Sequence, residues 1–308
     1  MSKKDMRESP RGRSQLSLYT ACNRKWAFKY LRGWRVPEEL YSPLHFGSVV
    51  HECQGAFYSA KTNHLRAARK RLDELCPPTG GTENMEIFRD KVDKTLGKWY
   101  TQIGEQDLQD FNILMVEEEL PLTLPNGYQM TVRVDRVMEN REDGEIFVDD
   151  TKTTGSSLDK AIGQYMMHDQ PRLYILAIRE NKPEWTEHFT GWRTTGIFCR
   201  KAPRSPGGYN IQMRRSPPVS FTEDQLNDTL LSYAGIVDDI EGKLQYVGTE
   251  PLASLFPANY SNCNSYGRIC EYFDMCPLVD RQDEPPANLE VDPWLAEGTV
   301  LKSFKKEA

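Results

Sequence analysis

Four short stretches of this chain carry side chains able to act together on a phosphate ester: Gly47-Ser-Val-Val-His51, the single carboxylate Asp135, Asp150-Thr151-Lys152, and the pair Gln170 and Tyr174. Asp150 and Lys152 are two residues apart, so on an extended strand they share one face while Asp149 points away. Gln170 and Tyr174 are four apart, about one helical turn, and reach one groove from one helix face. Two carboxylates and an imidazole suit a hard divalent cation. With a lysine beside them the set suits phosphodiester hydrolysis, because the cation polarises the phosphate and supplies hydroxide near neutral pH. Taken singly, each member has a plainer reading. His51, like His45, His64, His168 and His188, is on its own more often a hydrogen-bonded structural histidine. Asp135 alone suits a salt bridge to Arg133 or Arg136, and Glu52 reads as exposed. Order and spacing along the chain lift the set above these readings.

The elements that must position these residues follow from periodicity. Residues 14–31 read as one helix carrying Cys22, with Gly33 beyond its end, and Pro43 opens a second helix through His51 to about residue 60. Helical segments near 64–75 and 83–104, separated by Pro77-Pro-Thr-Gly-Gly, read as an insertion ahead of a sheet. From residue 111 the period shortens. Strands over 112–124, 128–139 and 145–153, joined at Asn126-Gly127 and Asp143-Gly144, make a three-stranded meander. Asp135 interrupts the apolar Val132, Val134 and Val137, and Ile146-Phe-Val148 leads straight into Asp149-Asp150. A carboxylate at the end of an apolar strand is costly unless it is solvated, paired or bound to a cation. Residues 158–180 return to helix, with Pro171 marking a start or kink. Stretches 187–200 and 209–221 read as a hairpin around a basic loop, and Thr222-Glu-Asp-Gln225 caps a helix running to about residue 245. Beyond 277 the chain reads as an extended arm ending in Lys305-Lys306.

In this order the GxxxH, D, DxK and QxxxY series resembles the PD-(D/E)XK nuclease superfamily, and within it the RecB-like branch that includes the iron-sulfur nucleases of CRISPR adaptation and of the AddB type. The resemblance implies an α/β fold with a restriction-endonuclease-like αβββαβ core, a helical insertion, and an iron-sulfur cluster joining the N- and C-terminal segments. It implies that His51, Asp135, Asp150 and the carbonyl of Thr151 coordinate Mg²⁺ or Mn²⁺. Lys152 would then orient or deprotonate the attacking water, and Gln170 and Tyr174 would position the DNA strand or support Lys152. The expected segments are a basic N-terminal stretch with the first cluster cysteine at 1–35, a helical region at 36–110, the nuclease core at 111–245, a cysteine cluster at 246–276, and the arm at 277–308.

Seven cysteines in a chain read as cytosolic argue against disulfides. Cys263, Cys270 and Cys276 cluster near the end, and Cys22 lies some 240 residues earlier. By the same resemblance, one cysteine in front and three behind ligate a [4Fe-4S] cluster, although the family often has Cys-x2-Cys where this chain has six residues between Cys263 and Cys270. Structural zinc, which favours a two-residue knuckle absent here, and buried unligated thiols are the rival readings. Cys53, Cys76 and Cys199 match no motif and read as core.

The net charge of −6 is at first sight wrong for a nucleic-acid binder, but it is unevenly spread. Residues 1–35 hold ten Lys/Arg, among them Lys3, Lys4, Arg7, Arg11, Arg24 and Lys25, against Asp5 and Glu8, a local +8 that leaves −14 elsewhere. A second stretch, from Arg200, Lys201 and Arg204 to Arg214-Arg215, has five positive charges and no carboxylate. Local basic surface is what phosphate contacts need, and the plainer reading of either run is a solvated face. With no long apolar run and no apolar leader, the expected location is the cytoplasm, without membrane partners. The expected activity is metal-dependent DNA cleavage, as an exonuclease on single-stranded ends in recombination, repair or phage DNA processing, with partners in recombination, repair or CRISPR adaptation. A DNA-end-binding or assembly module with a vestigial site is the alternative.

Overall fold

The computed structural model describes residues 12–36, 41–78, 82–155, 157–202, 204, 206–265, 268–281 and 284–292. Lys3, Lys4, Arg7, Arg11 and half of the C-terminal arm, from residue 293 on, lie outside the described residues, as does the Thr79-Gly80-Gly81 part of the expected breaker. The elements in chain order are α1 (Arg13–Ala21), α2 (Asn23–Trp26, continued by a π-turn Ala27–Leu31), β1 (Trp34–Arg35), α3 (Pro43–Ser59), α4 (His64–Leu75), α5 (Glu83–Trp99, continued by a π-turn Tyr100–Gly104), α6 (Glu105–Asp110), β2 (Phe111–Thr123), β3 (Gln129–Asn140), β4 (Ile146–Thr154), α7 (Leu158–Met166), α8 (Gln170–Asn181), β5 (Phe189–Lys201), β6 (Tyr209–Arg215), α9 (Glu223–Leu244), α10 (Leu252–Leu255), β7 (Asn264–Ser265), β8 (Arg268–Ile269) and β9 (Glu290–Val291).

The chain divides into two compact units. One gathers residues 1–38, 121–132 and 227–308, and the other residues 39–120 and 133–226. The larger unit is built on a mixed sheet in the order β2-β3-β4-β5-β6. Strands β3 and β4 are antiparallel, β4 and β5 parallel, and β5 and β6 antiparallel. A parallel pair needs a long crossover, which α7 and α8 provide. Helices α3, α4 and α5 supply the buried core of this unit through Phe46, Val50, Phe57, Leu72, Leu96 and Trp99, together with Phe147 of β4 and Ile197 of β5. Cys53, Cys76 and Cys199 are buried in the same core.

In the smaller unit an aromatic stack of Phe28, Trp34 and Tyr272 forms the centre, with ring centroids 5.6 and 5.1 Å from Phe28. Tyr272 donates its hydroxyl to the carbonyl of Trp34 at 2.6 Å, and Trp34-Arg35 pairs with Glu290-Val291 as a two-stranded ribbon. Among the described residues no helix is long and apolar enough to cross a membrane.

Three elements depart from the expected boundaries for identifiable reasons. The helix expected over 14–31 is broken at Cys22, whose backbone is extended at φ −164 and ψ 109. The helix expected over 158–180 divides into α7 and α8, with Pro171 in the first turn of α8, where its missing N–H costs no hydrogen bond. The last expected strand stops at Arg215, because Pro217-Pro218 cannot donate to a ladder and only Val219 returns to bridge Trp192.

Candidate active site and a four-cysteine cavity

Helix α3 explains the GxxxH spacing. Gly47, His51 and Gly55 fall at intervals of four, on one face of the helix. A Cβ on Gly47 would stand 2.8 Å from Thr153 Oγ1, so glycine is what lets α3 close onto β4. A Cβ on Gly55 would stand 3.1 Å from Cγ of Glu117. Between them His51 places Nδ1 at 3.1 Å from Asp135 Oδ2, and the same oxygen accepts the N–H of Thr151 at 3.1 Å. Ser42 caps the helix by accepting the amide of His45, with Pro43 at its first position.

Strand alternation sorts the acidic residues. On β4, Asp150 and Lys152 share a face and pair at 2.7 Å from Nζ to Oδ1. Asp150 is fully buried, and its Oδ2 has no hydrogen-bond partner among the described residues. Asp149 and Thr151 take the opposite face, as does Arg136 next to Asp135 on β3. There Arg136 donates to Asp149 at 2.9 and 2.6 Å and to Thr151 Oγ1 at 2.6 Å. Asp149 also accepts from Thr195 at 2.9 Å and from Arg215 at 3.4 Å, and Arg215 grips Asp107 through two bonds of 2.7 and 2.8 Å. Asp107 accepts the hydroxyl of Tyr58 at 2.5 Å. Among the described residues Asp135 pairs with His51; Arg133 pairs with Glu117 at 2.9 Å, and Arg136 acts on Asp135 as a nearby charge. Glu52, expected to be exposed, is bound by Arg71 at 2.7 Å.

Glu117 is the residue that sequence reasoning missed. His51, Glu117 and Asp135 bring one ligand atom each within 4.8 Å of one another, the only such His/Cys/Asp/Glu group among the described residues. Glu117 adopts a left-handed φ of +50 in mid-strand, a conformation that costs a non-glycine residue about 1–2 kcal/mol. The bend breaks the alternation of β2 and turns one glutamate of the run Glu117-Glu118-Glu119 to the helix side. The run itself was a signal that an acid is wanted there; which of the three serves is decided by the bend. Asp150 stands beside this trio rather than in it, facing Lys152.

The electrostatics separate the carboxylates. Burial would raise Asp135, but His51 and Lys152 outweigh it and hold the acid well below the usual carboxylate range. Burial, with Asp135 nearby, pushes Glu117 up to about 7 and Asp150 up to about 7 despite Lys152. Burial disfavours charge on His51 and Lys152, yet the neighbouring acids prevail and both pKa values are raised. Gln170 Nε2 donates to the hydroxyl of Tyr174 at 2.6 Å, so the two act as a unit on α8. Burial, with Asp135 and Asp150 in range, lifts the Tyr174 phenol well above its ordinary value. A buried carboxylate oxygen without a partner, an imidazole and further carboxylates at ligand spacing fit a hard divalent cation.

In the smaller unit Cys22, Cys263, Cys270 and Cys276 line one cavity, together with Phe28, Asn259 and Tyr272. The break at Cys22 leaves its sulfur to accept the N–H of Asn259 at 3.3 Å, while Asn259 and Asn262 cap the carbonyl of Ala21. The six-residue gap has a structural cause: β7 and β8 fold it into a hairpin, so that Cys270 N–H donates to the carbonyl of Cys263 at 2.8 Å. All four thiols are free, and burial raises those of Cys270 and Cys276.

Arg24 and Lys25, expected to contact DNA, are engaged within the smaller unit. Arg24 is buried, and its guanidinium donates to the carbonyls of Phe256, Cys276 and Ala253 at 2.7, 2.8 and 3.0 Å, tying α2 to the cysteine segment. Lys25 pairs with Glu271 at 2.8 Å. Arg200, Lys201 and Arg204 are exposed around the β5–β6 turn. Gly196 pairs with Lys152, so Arg200 lies four residues, about 13 Å, further along β5.

A family model for the PD-(D/E)XK nuclease superfamily matches residues 13–277. No curated protein matches the chain.

Proposed function

The chain belongs to the PD-(D/E)XK nuclease superfamily, and on that premise we propose that it is a divalent-metal-dependent deoxyribonuclease acting as an exonuclease on single-stranded DNA ends. The observation that carries the reading is the convergence of His51, Glu117 and Asp135 beside the pair of buried Asp150 and half-buried Lys152. His51, Asp135, Asp150 and the carbonyl of Thr151 would hold Mg²⁺ or Mn²⁺, with Glu117 added to the set. Bound metal would polarise the phosphate and acidify a water. Lys152, kept charged by its acidic neighbours, donates to phosphate oxygens and offsets charge gathering there. Gln170 and Tyr174 orient the strand, and Arg200, Lys201 and Arg204 hold phosphates further along it, from about 13 Å beyond the Lys152 register. The exonuclease mode, the preference for single strands, and a role in recombination, repair, phage DNA processing or CRISPR adaptation rest on the resemblance to the RecB-like branch.

The four thiols of the smaller unit fit a [4Fe-4S] cluster. They line one cavity from both ends of the chain, and Arg24 and Lys25 beside them offset the charge of four thiolates. A single tetrahedral zinc at about 2.3 Å from each sulfur needs sulfurs under about 4 Å apart, and no cysteine group at ligand spacing occurs among the described residues.

Labelled single-stranded and duplex DNA, incubated with Mn²⁺ and the purified protein, test the enzyme reading. Cleavage is expected from the wild type and not from Lys152→Ala; intact DNA with the wild type would leave only an end-binding module. Brown protein with broad visible absorption that bleaches on reduction is expected for the cluster, and colourless protein rich in zinc would exclude it.

A further inference from the structure

We infer that Arg136 is a positioning residue of the metal site, acting through Thr151 from the opposite face of the sheet; this rests on the metal-dependent reading above. One guanidinium nitrogen of Arg136 serves two acceptors, Asp149 Oδ2 and Thr151 Oγ1, each at 2.6 Å. Thr151 is therefore clamped twice: its side chain by Arg136, and its N–H by Asp135 on the metal face. With amide and side chain both fixed, and Thr151 paired to Thr195 across the parallel ladder, the carbonyl between Asp150 and Lys152 has little freedom.

The clamp is itself rigid. Asp149 is held from its other side by Arg215 and Thr195, and the ring of Tyr58 covers the guanidinium of Arg136 at 4.8 Å. Three members of this buried group are tied along the chain to a metal-face residue. Arg136 follows Asp135, Asp149 precedes Asp150, and Tyr58 lies two turns from His51 on α3. A shift of the clamp thus moves three of the four segments that meet at the metal, all but the Glu117 strand.

Stability alone does not explain so many charges. Replacing a buried ion pair by well-packed apolar groups is often neutral or stabilising, because desolvation offsets the attraction. A planar fork that satisfies two acceptors at fixed angles is what arginine supplies and lysine does not.

The test measures metal binding apart from catalysis. Mn²⁺ is titrated calorimetrically into the metal-free full-length protein, and the Mn²⁺ midpoint of DNA cleavage is measured beside it. Arg136→Met leaves Asp149 with one cation fewer and risks misfolding, so the neutral pair Arg136→Met with Asp149→Asn, and Thr151→Val, are made alongside. In variants that melt cooperatively, the Mn²⁺ dissociation constant is expected to rise about tenfold or more, with the KM for DNA unchanged. Arg136→Lys should fall between these variants and the wild type. A merely structural residue would lower the melting temperature and leave the Mn²⁺ constant of the folded protein where it was, and that result in both the double variant and Thr151→Val overturns the inference. Wild-type protein that binds Mn²⁺ but leaves DNA intact would instead count against the proposed activity, with the binding comparison still deciding the role of Arg136.

Discussion

Stripped of metal, this protein should lose stability as the pH rises from about 5 to about 8, the reverse of ordinary acid unfolding. Glu117 and Asp150, pushed up to about 7 in the fold, hold protons that the unfolded chain gives up near pH 4. Between those values the native state binds more protons than the unfolded state, so stability falls with pH until both groups are ionised above about 7. His51 works in the same direction. Its pKa is raised, so its pairing with Asp135 contributes fully below the ordinary imidazole value and is lost as pH climbs through the raised one. Asp135, held low, contributes a constant amount over this window and loses it only in acid.

A carboxylate raised by about three units costs about 4 kcal/mol when ionised. Burial is the leading cause at both Glu117 and Asp150, and each also feels the charge of Asp135, so the loss is on the order of 4 kcal/mol for each carboxylate ionised. Mn²⁺ binds the ionised form, so its stabilising effect should grow by about 1.4 kcal/mol per pH unit for each proton displaced. The assay is denaturant unfolding followed by tryptophan fluorescence, in chelator and in excess Mn²⁺, across this range. Asp150→Asn serves as the control and should flatten the slope in chelator. Stability that stays level or rises with pH in metal-free wild type, or an Mn²⁺ increment equal at both ends of the range, would refute the reasoning.

Gly55→Ala should add up to about 1 kcal/mol of helix stability yet weaken Mn²⁺ binding, because the new methyl would press on Cγ of Glu117 at 3.1 Å; calorimetry of metal binding beside thermal melts checks both signs. Gly47→Ala meets Thr153 Oγ1 at 2.8 Å and should cost about 1–3 kcal/mol while displacing His51, seen as a lower melting temperature together with lost cleavage. Arg24→Ala removes three charge-assisted bonds to buried carbonyls and should destabilise the smaller unit by about 3 kcal/mol, read from early proteolysis near the cysteine segment, with affinity for DNA little changed in protein that remains folded.

Much of the arrangement was legible because its signals are local. Alternation along β4 separates Asp149 from Asp150 and Lys152 without reference to any other element, and helical spacing joins Gln170 to Tyr174. The turn signals at Asn126-Gly127 and Asp143-Gly144 set strand limits to within a residue or two of those found, although the connections, 124–128 and 141–145, are longer than the two residues expected. What was not legible depends on partners distant in the chain. The basic run that includes Arg24 looked like phosphate-binding surface, yet the carbonyls that enclose Arg24 come from residues 253–276. Six residues between Cys263 and Cys270 looked like a departure from a knuckle until a short hairpin brought their backbones together.

Residue type and periodicity thus determined the order of elements, the faces of the strands and the pairing of acid with lysine, since each is a property of a few consecutive residues. Tertiary structure alone decided that Glu117, rather than its two neighbours, meets His51 and Asp135, and that Arg136, Thr195 and Arg215 are the groups that close on Asp149. A left-handed backbone in mid-strand and a guanidinium shared between two acceptors are held in place only by packing from elements far away in the chain, and no local pattern encodes them.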